Sequence, residues 1–189
     1  MDEISFDMSH GPQKRTMTEL SQAEYQALRD TIRERGTARL CAVLAGLVAW
    51  AAVAVAVHAT RLSHAAWLFP LLVLAATYEL NFFIHTGVER IGRYLQVFYE
   101  ESAGITGWET TAMSYGMKFP SGLDPLFSIV FSSALSLNFL TALTAEREGI
   151  WPLSLLAHLF FAYRIVSARK LAASQRALDL DRFRSLLSK

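Results

Sequence analysis

Apolar and polar residues fall into long blocks along this chain rather than alternating. Four blocks are apolar over the length of a bilayer-crossing helix: residues 40–60, 65–84, 125–145 and 150–166. A hydrocarbon core about 30 Å thick takes about 20 apolar residues at about 1.5 Å rise each. Hydrocarbon offers the backbone no hydrogen-bond partner, so each block is predicted to be a helix and not a strand. The first is uncharged, the second holds only Glu79, and the fourth stays apolar until Arg164, which can snorkel to the interface. The predicted fold is an all-α integral membrane protein with four transmembrane helices.

The polar blocks predict helical extensions of these spans. Residues 16–39 carry a capping box, Ser21 with Glu24, and form a helix that can run into the first span, with Gly36 as a candidate break. Residues 85–101 keep helical spacing for about four turns past the second span. Residues 167–189 set Leu180, Phe183 and Leu187 on one side, suited to packing together beneath the membrane. Residues 102–122 are rich in aromatics. There Thr106 and Glu109 spell a second capping box, and Trp108, Ala112, Tyr115 and Phe119 share one face, which predicts a short interfacial helix. Residues 1–15, with Gly11 and Pro12, read as a flexible or partner-bound tail. Ser63, Asp124 with Pro125, and Pro152 mark helix starts, whereas Pro70 lies deeper in the second span and predicts a kink.

Charge sets the expected direction. Arg29, Arg33, Arg35 and Arg39 precede the first span; Arg90, Arg93 and Lys118 lie between the second and third; Arg164, Arg169 and Lys170 close the fourth. The two opposite loops carry only Arg61 and Arg147, the latter flanked by Glu146 and Glu148. This asymmetry predicts both termini and the long middle loop in the cytoplasm, in a bacterial-type inner membrane. The polar first 38 residues show no cleavable leader, so the first span is expected to be the targeting signal.

Composition agrees with the bilayer as the main partner. At 189 residues, 52% of them hydrophobic, the chain holds more apolar side chain than a soluble domain of its size needs to bury. A net charge of +1 gives no electrostatic case for nucleic acid. The single cysteine, Cys41, can make neither an internal disulfide nor a cysteine zinc cluster. Ala42, Ala45, Gly46, Ala49, Ala52 and Ala56 put small residues along the first span. In the third, Ser128, Ser132 and Ser136 recur every fourth position, with Ser133, Asn138 and Thr141 nearby. Such faces let helices approach closely and bond across their interface, within one bundle or between subunits.

The second span holds the candidate chemistry. Glu79 lies about two-thirds of the way across, where an ionisable group needs a partner. Beyond it, His85, Glu89, Arg90 and Arg93 fall on two neighbouring sides of the helix. His85–Glu89 and Glu89–Arg93 are each four apart, spacing that predicts a charged ladder. No Glu-x-x-His pair for a di-metal bundle and no His-Glu-x-x-His zinc motif is present. His85 and His158 differ in depth by about 15 Å at helical rise, which argues against a haem held by that pair. A haem or metal held by one of them alone, as in a redox subunit, is the weaker alternative. The membrane serines have no histidine placed to activate them, so a hydrolase is not expected. The expected function is non-enzymatic: a membrane protein acting through self-association or as an accessory subunit. The first alternative is a homo-oligomeric channel with Glu79 or the Ser128/Ser132/Ser136 face lining the path.

Overall fold

The protein, seen in a computed structural model, is described over residues 17–60, 64–118, 126–144 and 151–187. Ser63, Asp124, Pro125 and Phe119 lie outside these residues, as does the 1–15 tail. All regular structure among the described residues is helical: α1 (Met17–Ala59), a 3₁₀ turn (His64–Trp67), α2 (Leu68–Leu95), a π-helical turn (Gln96–Glu101), α3 (Trp108–Lys118), α4 (Leu126–Thr144) and α5 (Trp151–Leu187). Three of the helices, α1, α2 and α4, are long and apolar enough to cross a membrane. The fourth expected span is the first half of α5, whose apolar run is cut short by Arg164.

α1 carries no proline across its 43 residues and is rich in alanine, so nothing interrupts it between its polar and apolar halves. Gly36 is not a break. Regular turns on either side outweigh the roughly 1 kcal/mol that glycine costs a helix. α1 is already helical at Met17, so Ser21 does not cap it, and Glu24 instead accepts a hydrogen bond from the Tyr94 hydroxyl at 2.9 Å. Pro70 sits in the first turn of α2 and not mid-helix. Its missing N–H falls where the 3₁₀ turn gives way to α-helix, so no kink is needed. Pro152 stands in the first turn of α5, as expected.

α1 packs antiparallel on α2, which in turn packs on α5. At Gly46 the first two helices come close, since a β-carbon there would run into Thr77. The main apolar core joins Val43, Leu71, Leu74, Phe131, Phe161 and Ile165 around Tyr78. The Tyr78 ring meets Phe131 and Phe161 edge-on at 5.0 and 5.6 Å. At the far end of the bundle Val57, Ala66, Trp67 and Ala142 form a second cluster. The charged segments of α1, α2 and α5 gather with α3 at the opposite, polar end. On the tail of α5, Leu180 is buried and Phe183 packs on Tyr94 and Phe98, but Leu187 is exposed and leaves the predicted trio incomplete.

Candidate functional site

Of the two rungs expected along α2, His85–Glu89 is present at 3.8 Å, whereas Arg93 turns to α3 and Glu89 also turns to α5. Most of the charged residues of α2 reach other helices. Glu79 receives both nitrogens of an Arg164 fork from α5, at 2.7 and 2.8 Å. That bidentate pair gives Glu79 a charge-assisted partner, and the Arg164 guanidinium also lies 4.5 Å over the Phe82 ring. Asn81 accepts from Arg39 of α1 at 2.7 Å, and the Arg39 guanidinium covers the Phe127 ring at 3.9 Å. Arg39 also approaches His85 Nδ1 at 3.4 Å. A guanidinium only donates, so Nδ1 accepts there and Nε2 carries the proton facing Glu89, 3.8 Å away. Glu89 pairs with Arg176 of α5, and Arg90 with the buried Asp179 at 3.1 Å. Arg93, almost fully buried, pairs with Glu109 of α3 at 3.3 Å and bonds Gln96. Glu109 is shared: Arg29 of α1 holds its other oxygen at 2.8 Å.

The π-helical turn after α2 organises the polar end. Its wider winding turns Gln96, Val97 and Glu100 inward. The Glu100 carboxylate then accepts the backbone N–H groups of Glu109 and Thr110 at 2.9 and 2.8 Å and the Thr110 hydroxyl at 2.6 Å. It therefore caps α3 from another element, in place of the predicted Thr106–Glu109 box. Gly107 leaves room for it, since a β-carbon there would run into the Glu100 carboxylate. Burial raises the Glu100 carboxyl, but the Thr110 hydroxyl, the two amides and Arg29 more than reverse this and hold it below the usual range. Arg184 holds Glu101 low in the same way, by a forked contact at 2.7 and 3.0 Å. Burial and a hydrogen bond to Glu24 push the Tyr94 phenol up to about 12.

A carboxyl whose pKa is lowered by folding adds stability above its unfolded pKa, and that stability is lost as pH falls through the folded value. Glu100→Gln is thus expected to be about 1–2 kcal/mol less stable than the native chain at neutral pH. Thermal melts in detergent should show this gap closing below the ordinary carboxylate range. A gap independent of pH would mean that the Glu100 charge plays no part.

Asn138 of α4, fully buried, joins the helices of the apolar half. It accepts from Trp50 Nε1 of α1 at 3.1 Å, and its amide nitrogen lies 3.4 Å from the Trp67 carbonyl and 3.0 Å from His158 Nε2. His158 Nδ1 sits 2.7 Å from the Ser154 carbonyl and must donate to it, so Nε2 accepts from Asn138. Both ring nitrogens are engaged, and neither is left for a metal. Among the described residues no three of His, Cys, Asp and Glu gather as a cation cage.

The small-residue faces divide. Ala42 and Gly46 turn toward the bundle, while Ala45, Ala49, Ala52 and Ala56 are exposed. Ser128 is half-buried, but Ser132, Ser133 and Ser136 face outward. Of the aromatic loop residues, Trp108 and Tyr115 are exposed on α3. Asn138, Glu100, Glu109, Arg39 and Arg176 all matter more to the structure than their sequence context suggests. The one available signal was on α5, where Arg164, Ala168, Ala172, Arg176 and Asp179 recur at helical spacing and mark the face turned to α2. Compared with protein-family models, curated proteins and solved structures, the chain matches none.

Proposed function

We propose that this is a four-span helical membrane protein, with both ends and the polar half in the cytoplasm, that works through assembly and catalyses no reaction. The fourth span is supported by the outer face of α5, where Leu153, Leu156, Leu159, Phe160, Tyr163 and Val166 are all exposed at one-turn intervals. In water such a stripe would be costly; in lipid it is solvated. The orientation rests on the basic residues gathered at the polar end.

The observation that carries assembly is the outward face of α1. Of its most apolar 18-residue stretch only 11% is buried within the chain. The residues turned outward there include Ala45, Ala49, Ala52 and Ala56, a line of small side chains suited to close approach by another helix. Ser132 and Ser136 of α4 add hydroxyls that can bond across a second contact. A partner can be another copy or a different subunit of a membrane complex.

Cys41 is exposed and begins the same line, four residues before Ala45. In native membranes a short bis-maleimide crosslinker is expected to yield a covalent dimer through Cys41, and Ala49→Leu should abolish it. A product of different mass would identify an accessory subunit. A monomer alone, both after crosslinking and in a blue-native gel, would sink the reading.

A further inference from the structure

Where the apolar and polar halves meet, a cavity of about 630 Å³ opens between α1, α2, α4 and α5, with α3 at its edge. Small-molecule sites span about 300–1,000 Å³, so the space is of ligand size. Its lining mixes two chemistries, the guanidinium groups of Arg39, Arg169 and Arg176 with the His85 ring, and the apolar surfaces of Tyr78, Phe82, Phe127 and Ala168, with Arg39 stacked on Phe127. Three guanidinium groups line the space against a single carboxylate, Glu89. Glu89 is engaged by Arg176, and Arg169 enters no ion pair among the described residues.

The level of these basic residues is set by the chain itself. Arg39 stands directly before the apolar run of α1, and His85 directly follows that of α2. Arg169 comes three residues after Val166, the last of the exposed apolar stripe on α5. All three reach the cavity from the boundary between hydrocarbon and headgroups. We propose that the cavity binds one anionic phospholipid, its phosphate beside Arg39, Arg169 and Arg176 and the start of an acyl chain along Tyr78, Phe82 and Phe127. Guanidinium forks suit phosphate oxygens, and basic pockets between membrane helices suit anionic headgroups. A free phosphate would leave the apolar part of the lining unused, which favours a lipid. The proposal requires that the protein sit in a bilayer, but not that it assemble.

The full chain, purified in mild detergent, is mixed with phosphatidylglycerol or phosphatidylcholine and examined by native mass spectrometry. One phosphatidylglycerol is expected to stay bound at about five-fold higher occupancy than phosphatidylcholine, the discrimination one basic contact typically supplies. Arg169→Gln, which breaks no described ion pair, should lower that occupancy about five-fold while leaving the helical circular dichroism unchanged. Lys170→Gln, its neighbour outside the lining, should leave the occupancy as it was. Millimolar glycerol 3-phosphate should not displace the lipid. Equal retention of the two lipids, or loss in Lys170→Gln as large as in Arg169→Gln, would overturn the proposal. So would displacement by glycerol 3-phosphate, which would assign the site to a soluble phosphate instead.

Discussion

Replacing Glu109 by alanine is expected to cost about 3 kcal/mol, lowering the apparent Tm by about 6–12 °C. Among the described residues Glu109 is the only carboxylate in a salt bridge with Arg93, whose side chain is 7% exposed, and it holds Arg29 as well. Removing it leaves a buried guanidinium without a counter-charge, which costs far more than the pair contributed when whole. Glu101→Ala is the matching control. Its partner Arg184 is half exposed, so that loss should stay below about 1 kcal/mol. A double variant, Glu109→Ala with Arg93→Met, should recover part of the deficit, because no unpaired charge then remains. Thermal melts of the four proteins in one detergent give the comparison. If Glu109→Ala melts with the native chain, the network at the polar end is not what holds α3 in place.

That network works beside a small apolar core of the polar half, the fully buried Leu95 and Val97 and the aromatic cluster of Tyr94, Phe98 and Phe183. Arg29 from α1, Arg93 from α2 and Glu109 from α3 converge on one point, and Glu100 fixes the start of α3 beside it. Arg90–Asp179 and Arg176–Glu89 then tie the tail of α5 to α2. Asp179 is almost fully buried and also accepts from Gln175, so its pair with Arg90 is stronger than the exposure of Arg90 alone suggests.

The elements of this fold were legible wherever a long-period pattern carried them. Three apolar helices, the run of α1 into its span and the extension of α2 all follow from block length and helical spacing. What the sequence hid were contacts between residues about 80 apart, such as Arg29–Glu109, Glu79–Arg164 and Arg90–Asp179. Spacing along α2 suggested pairs at i and i+4, since local partners are the only ones a single helix can offer. The His85–Glu89 pair forms at 3.8 Å, but elsewhere tertiary partners prevail because α5 and α3 bring opposite charges against α2. The π-helical turn was illegible for a related reason. It has no residue signature here, and it is stabilised by what it turns inward, the Glu100 cap and the Gln96 contact to Arg93. The capping boxes misled because their residues had better partners elsewhere, Glu24 in Tyr94 and Glu109 in two arginines.

Asn138→Leu is expected to destabilise the apolar half by about 2–3 kcal/mol although it replaces a polar residue with an apolar one of similar size. Leucine suits a lipid-facing site, but Asn138 is fully buried and serves three other chain segments. Without its amide, the Trp50 indole N–H, the His158 Nε2 lone pair and the Trp67 carbonyl lose the partner the fold provides. Each is left in a medium that supplies no water, so the loss is counted in unsatisfied groups and not in lost packing. His158→Leu alone should cost less, about 1 kcal/mol, because it strands only one side of the asparagine amide. The double variant should then be less destabilised than the sum of the two by about 1 kcal/mol, the signature of residues acting on each other. Apparent Tm measured for the three variants in one detergent supplies that cycle. Additive losses would show that Asn138 and His158 contribute separately, and an Asn138→Leu protein as stable as the native chain would remove the asparagine from its place as the polar link between the spans.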